Sequence, residues 1–281
     1  MNLIIGANGQ LGTELCRLFD EQTMEYFGTT TNELDITNQE QVSSFIRELN
    51  PKVIYHCAAY TAVDAAEDEG KAMNYLVNVD GTRNIALVAQ EIGAKLVYIS
   101  TDYVFDGCLT DGEYKTESQT NPQNEYGKSK LQGEEIIQEI MSSYYIIRTS
   151  WVFGEFGNNF VYTMKKLAES RDKLTIVSDQ IGRPTWTRTL AEFMEFIVEK
   201  SVPYGIYHLS NEGTCSWYDF AREILKENTD IAVLPVTSEE FPQKAKRPQH
   251  SVMDLSKSRD LGFEIPNWEE ALNQFLQNIE N

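Results

Sequence analysis

The turn Gly6-Ala7-Asn8-Gly9-Gln10-Leu11-Gly12 constrains this chain more than any other feature. It directly follows the apolar run Leu3–Ile5 and opens a segment of helical period over Gln10–Phe19. A strand that enters a helix through such a turn begins a β–α–β unit, and the same rhythm continues along the chain. Met24–Phe27, Val53–His56, Leu96–Ile99 and Tyr144–Ile147 read as buried strands, with helices over Gln39–Leu49, Met73–Ile92 and Glu125–Ile140 between them. Parallel neighbours need connections long enough to cross back over a sheet. The alternation therefore predicts a doubly wound α/β fold with a mostly parallel sheet, whose strand order is not legible.

Beyond residue 150 the rhythm loosens. Helices are predicted at Asn159–Ser170, Thr187–Glu199, Ser216–Glu227 and Trp268–Ile279, with a strand at Leu174–Val177. Leu234–Arg247, with Pro235, Pro242 and three basic residues, reads as a loop. Residues 1–150 are expected to form the main α/β unit and 151–281 a smaller mixed lobe, with an approximate boundary open to interleaving. No repeat, low-complexity tract or flexible linker separates them.

The 281 residues carry 24 Lys and Arg against 43 Asp and Glu, a formal charge of −19. A protein that grips a phosphate backbone needs a basic stripe, so nucleic acid is excluded as the main partner. Cys16, Cys57, Cys108 and Cys215 lie far apart and away from the three histidines, which argues against a disulfide scaffold or a zinc site. No apolar run approaches membrane-spanning length and the first is too short for a signal sequence, so a reduced, cytoplasmic protein is expected.

Within the N-terminal turn, Gly6 allows a tight bend, Gly9 lets backbone N–H groups approach a pyrophosphate, and Gly12 lets the helix pack closely. The helix N-terminus adds unpaired donors and roughly half a positive charge, so even an acidic chain can hold a dinucleotide polyanion there. The second strand runs into Phe27-Gly28-Thr29-Thr30, with neither the acid that holds an adenine ribose nor an arginine that reads a 2′-phosphate. NADH and NADPH both stay open.

Tyr126 and Lys130 stand four residues apart at the start of a predicted helix, one turn above the other. An ammonium beside a phenol favours the phenolate, which makes tyrosine a proton donor and acceptor near neutrality. Thr101, in Ser100-Thr101-Asp102-Tyr103-Val104-Phe105, falls at the C-terminal edge of the fourth predicted strand, where open α/β sheets place ligands. Its hydroxyl can hold a carbonyl there, or bond its own backbone.

Together these residues resemble the extended short-chain dehydrogenase/reductases and, among them, the dTDP-4-dehydrorhamnose reductase family. The resemblance runs through the glycine turn, Leu34-Asp35-Ile36-Thr37, Ala58-Ala59-Tyr60-Thr61-Ala62-Val63-Asp64, Asn78-Val79, residues 100–105, Tyr126-Gly127-Lys128-Ser129-Lys130 and Arg148-Thr149-Ser150-Trp151-Val152-Phe153-Gly154. Asp179–Thr185 and Arg247-Pro248 extend it. It implies a Rossmann-like fold and NAD(P)H-dependent reduction of the 4-keto group of dTDP-4-dehydro-6-deoxy-L-mannose to dTDP-L-rhamnose, a precursor of cell-wall polysaccharide.

Carried over by position, the resemblance makes Tyr126 the proton donor and Lys130 the partner of the nicotinamide ribose, with Thr101 orienting the carbonyl. Gly6, Gly9, Gln10, Leu11 and Gly12 then line the pyrophosphate, Asp35 and Ile36 the adenine end, and Ala59, Tyr60 and Thr61 the middle of the cofactor. Val63, Asp64, Asp102, Tyr103 and Trp151 surround the deoxysugar. Arg247, in the densest basic group of the chain with Lys244 and Lys246, is chosen for the nucleotide diphosphate because a guanidinium grips phosphate through two parallel bonds. Some members dimerise through magnesium held by glutamates, and Glu14 matches one such position. Magnesium use, and monomer against homodimer, stay open. Two alternatives share these motifs: a nucleotide-sugar epimerase that retains its cofactor, and a non-catalytic regulatory subunit.

Overall fold

Short strands and longer helices alternate through the first half of the computed structural model, which describes residues 1–228 and 230–280. Strands β1 (Asn2–Ile5), β2 (Tyr26–Thr29), β3 (Val53–His56), β4 (Lys95–Thr101) and β5 (Tyr144–Thr149) alternate with α1 (Gln10–Glu21), α2 (Gln39–Leu49), α3 (Lys71–Tyr75), α4 (Thr82–Ile92) and α5 (Glu125–Ile140). The second half supplies β6 (Val152–Phe153), α6 (Phe160–Ala168), β7 (Lys173–Val177), β8 (Ile181–Gly182), β9 (Thr185–Trp186) and α7 (Thr187–Glu199). It continues with β10 (Gly205–His208), β11 (Cys215–Ser216), α8 (Trp217–Ile224), β12 (Ala232–Val236), α9 (Ser256–Arg259) and α10 (Trp268–Glu280).

The central sheet has six strands in the order β10-β5-β4-β3-β1-β2, and each adjacent pair is parallel. Alternate residues of each inner strand feed opposite cores, which is why these strands read as unbroken apolar runs. Leu3, Ile5, Ile54, Leu96 and Ile146 pack under α2, α4 and α5. Ile4, Tyr55, Val97, Tyr145 and Ile147 pack under α1 and α7. Strand order reverses between β1 and β3, and a crevice opens outside their C-terminal ends, where such sheets hold ligands. The expected doubly wound, Rossmann-like α/β fold is the observed one.

Residues beyond 150 enter both parts of the molecule. Helix α7 covers one face of the sheet and β10 extends it beside β5, while a separate core forms around Phe153, Trp186, Phe220, Trp268 and Phe275. Strand β10 is a four-residue edge strand without a readable period, so no strand was expected there.

Two expectations need correction. The stretch Leu234–Arg247 is not wholly a loop, because Leu234–Val236 completes β12, which pairs in parallel with β7. Pro235 is tolerated because this two-stranded sheet leaves β12 an open edge. The helix expected over Met73–Ile92 is interrupted by a π-helical segment at Leu76–Gly81, and that irregularity has a use in the site.

Candidate active site

The crevice contains a cavity of about 820 Å³ that begins at the N-terminal turn and runs along the ends of β1, β3, β4 and β5. Gly6 has φ +84°, and a Cβ there would come 2.7 Å from the Ala58 nitrogen. A Cβ on Gly12 would fall 2.1 Å from the Gly6 carbonyl oxygen, so Gly12 lets α1 start directly beneath the turn. Gly9 is the N-cap of α1; no side chain caps that end and its first turn holds no acid. Backbone donors are thus left facing the cavity. Lys130 is the only Lys or Arg among its lining residues, which fits anion binding by backbone groups in an acidic chain.

Gly9, Gln10, Leu11, Asp35, Ile36, Ala59, Tyr60 and Thr61 line the cavity along this side. The Gln10 side chain also ties the turn to the second lobe, donating to the Val152 carbonyl (3.4 Å) and accepting from Asn159 Nδ2 (2.9 Å). Asp35 accepts from the Thr37 N–H and hydroxyl at 2.9 and 2.7 Å. Segment 59–61 is held by Asn78, whose Oδ1 accepts from the Tyr60 N–H (2.9 Å) and whose Nδ2 donates to the Tyr60 carbonyl (3.1 Å). Asn78 lies in the π-helical segment, which supplies this clamp.

The chemical groups converge from two elements. Thr101 ends β4, and its neighbour across the sheet is Thr149, at the end of β5. Tyr126 lies in the first turn of α5, whose N-cap Asn124 accepts from the Gly127 N–H (2.7 Å) and donates to the Lys246 carbonyl (2.9 Å). That cap is worth ~1 kcal/mol and anchors the start of the helix to the C-terminal segment. Tyr103 meets Tyr126 edge to face, with centroids 5.9 Å apart. Thr101, Asp102, Tyr103, Tyr126 and Lys130 all line the same cavity.

The electrostatics differ from the sequence expectation at one point. Burial, with the Asp102 charge in addition, holds the Tyr126 phenol above its usual range, and only the Thr101 hydroxyl acts against this. Lys130 does not lower it. Its Nζ lies 4.0 Å from the centroid of the Tyr98 ring, and burial brings the amine down to about 7 against the opposing pull of Glu134. Desolvation weakens the amine's hold on its proton, so that near neutral pH it is only partly charged. In the free site, therefore, Tyr126 is a protonated acid.

On the opposite side, Trp151 has φ +48°, a left-handed backbone that costs of order 1–3 kcal/mol for a non-glycine residue. It is held there between Gly182, where a Cβ would come 2.6 Å from the indole, and Trp217, stacked at 3.7 Å. Phe160 packs on Trp217 with centroids 4.6 Å apart, and all three aromatics line the cavity with Val63.

Over residues 1–281 the chain matches the family described as RmlD substrate binding domain. It is 43% identical to the dTDP-4-dehydrorhamnose reductase of Aggregatibacter actinomycetemcomitans, across 96% of each chain. The chain belongs to the dTDP-4-dehydrorhamnose reductase family. It is also 44% identical to the spore coat polysaccharide biosynthesis protein SpsK of Bacillus subtilis (strain 168), over 98% of this chain and 96% of that one. Among solved structures, dTDP-4-dehydrorhamnose reductase from Bacillus anthracis strain Ames in complex with NADP superposes with a TM-score of 0.94 at 43% identity. It covers 100% of this chain and 99% of that one.

Of the residues assigned to cofactor or substrate, Gly12, Asp64 and Arg247 stand outside the cavity lining. Gly12 packs beneath the turn instead of facing the cavity. Asp64 accepts from the Ala245 N–H (3.0 Å) and from Arg247 Nη2 (2.8 Å), so these two residues close on each other. Lys244 pairs with Asp68. Glu14 is buried between two guanidinium groups, 2.9 Å from Arg17 and 3.6 Å from Arg188. Burial outweighs the two cations and holds the Glu14 carboxyl above its usual range, with Oε2 unpartnered; the described residues of one chain contain no group of three or more His, Cys, Asp or Glu able to hold a metal. Sequence reading missed Trp217, Phe160 and the clamping role of Asn78. Asn78 had a signal in its motif, whereas Trp217 and Phe160 look like ordinary core aromatics until the fold stacks them on Trp151.

Proposed function

We propose that this chain reduces the 4-keto group of dTDP-4-dehydro-6-deoxy-L-mannose to dTDP-L-rhamnose with NADPH. The observation that carries the reading is the convergence of Thr101 and Tyr126, from β4 and α5, on one cavity that starts at the uncapped N-terminus of α1. Relatives named for this activity and an NADP complex of one of them support it, and SpsK supports a place in polysaccharide precursor synthesis.

NADPH, when bound, supplies the hydride for C4 of the sugar. Gly6, Gly9, Gln10 and Leu11 present backbone to its pyrophosphate; Asp35 and Ile36 border the adenine end, and residues 59–61 the middle. Thr101 holds the carbonyl oxygen, and Tyr126 donates the proton to it and is reprotonated from solvent. A phenol whose surroundings favour its neutral form is suited to donation. Lys130 finds its polar partner in the nicotinamide ribose. Trp151 and Val63 flank the deoxysugar with Tyr103, and Arg247, released from Asp64, takes the diphosphate. The second lobe, formed by residues beyond 150 other than α7 and β10, serves mainly substrate binding. Four free cysteines suit the cytoplasm, the compartment we assign, and among the described residues no helix is long and apolar enough to cross a membrane.

Purified protein given the keto-sugar and NADPH is expected to consume the reduced-nicotinamide absorbance in proportion to dTDP-L-rhamnose formed. Absence of net oxidation, with NAD retained through purification, would overturn the reading in favour of epimerisation.

A further inference from the structure

Asp102 bonds one of the two groups that touch the carbonyl, Thr101, and acts through its charge on the other, Tyr126, yet has no part in the scheme above. It is 2% exposed and opens the short turn after β4. Its Oδ1 accepts from the Thr101 hydroxyl at 3.0 Å, while Thr101 Oγ1 accepts from the Tyr103 N–H at 3.2 Å. Its Oδ2 is buried without a hydrogen-bond partner among the described residues, and the residue lines the cavity. Thr101 has one proton. When Asp102 is ionised that proton points at the carboxylate, away from any carbonyl in the site.

We propose that Asp102 is a positioning residue that sets the direction of the Thr101 hydroxyl: in its protonated form it donates to Thr101, freeing Thr101 to donate to the substrate carbonyl. The inference rests on the reductase reading. Neither residue gives up a proton in the net reaction; the hydrogen added to the carbonyl oxygen comes from Tyr126.

The surroundings strengthen the carboxyl's hold on its proton up to about pH 6. Tyr126 faces Asp102 from α5, Tyr103 from the turn itself and Ser251 from the C-terminal segment, none of them a cation. Arg247, over the Tyr103 ring, is paired with Asp64, and Lys130 lies against Tyr98. Burial pushes the Asp102 carboxyl up to about 6, with the Ser251 and Thr101 hydroxyls and the Asp102 and Tyr103 N–H groups pulling the other way.

Asp102→Asn tests this, because its amide donates to Thr101 at every pH. The ratio of kcat/KM for D102N to that of the native chain is expected to rise about fivefold between pH 5 and 8, the worth of one neutral hydrogen bond. Thr101→Val should remove the part of the native pH step that runs through that hydroxyl, leaving only the smaller effect of the Asp102 charge on Tyr126, and this variant carries the test if D102N does not fold. A ratio that stays flat with pH, or a step that survives at full size in T101V, overturns the proposal; an Asp102 that bonds substrate itself would keep its full pH step in T101V, and a merely structural one would show none.

Thermal unfolding gives a reading without substrate. The folded carboxyl keeps its proton where the unfolded one, near 3.8, has lost it, so native stability falls relative to D102N as pH rises from about 4 to 6 and the gap then stays constant. A Tm difference independent of pH also overturns the proposal. Failure of the reductase reading shows separately, as no NADPH oxidation by the native chain, while the melting arm still reports whether Asp102 holds its proton.

Discussion

The cavity wall formed by residues 6–12 and the wall formed by Trp151, Phe160 and Trp217 are made of different material. The first is backbone. Its fit depends on missing Cβ atoms at Gly6 and Gly12 and on an uncapped helix end, so its shape comes from seven consecutive residues. The second is side chains from three separated segments, held by a strained Trp151, a close glycine at 182 and ring stacking. A backbone wall suits an anion, which backbone donors can hold in a chain of net charge −19. A side-chain wall suits an apolar ring face, and it can change occupant by substitution without disturbing the first wall.

Removing the chemistry while keeping both walls gives the largest expected effect. Tyr126→Phe should lower kcat by about 10²–10⁴-fold, the usual worth of a positioned general acid, with NADPH affinity unchanged in fluorescence titration; retained turnover would remove Tyr126 from the scheme. Next comes the backbone wall. Gly12→Ala puts a methyl group 2.1 Å from the Gly6 oxygen, and forcing the turn apart should cost at least ~1–3 kcal/mol in thermal stability. NADPH binding should weaken more than tenfold, the equivalent of roughly 1.4 kcal/mol or more.

Trp217→Ala probes the other wall. It should raise KM for the nucleotide sugar by about tenfold, the scale of an aromatic stack of ~1 kcal/mol together with lost apolar contact, and leave NADPH affinity within error. If instead it weakened NADPH binding comparably, the two walls would not be independent. The smallest effect is expected from Arg247→Lys, which keeps charge but loses the fork that reaches Asp64. A rise in KM of about threefold to fivefold, with kcat unchanged, would mark diphosphate binding in place of a purely structural ion pair.

The fold was largely legible because β1, β3, β4 and β5 are buried on both faces and bounded by helical period. β10 is too short to carry such a signal, and Pro235 hid β12 because proline argues against a strand unless the edge is open. The site was legible where function sits in contiguous motifs, as at 6–12, 100–103 and 126–130. It was illegible at Trp217 and Phe160, whose spacing from Trp151 in sequence says nothing of stacking. The Tyr126–Lys130 spacing placed both residues correctly but did not foretell that Lys130 rests on Tyr98, a residue of β4.

By itself the sequence determined the β–α–β frame, the anion-binding turn and the presence of a tyrosine, a lysine and a threonine able to do reductive chemistry, because these depend on local backbone geometry and on fixed spacing along one element. Only the tertiary structure decided the strand order, the aromatic wall, the closing of Arg247 on Asp64 and the protonation preferences of Tyr126, Lys130 and Asp102. Those depend on which distant groups exclude water from one another, and burial is a property of the packed chain.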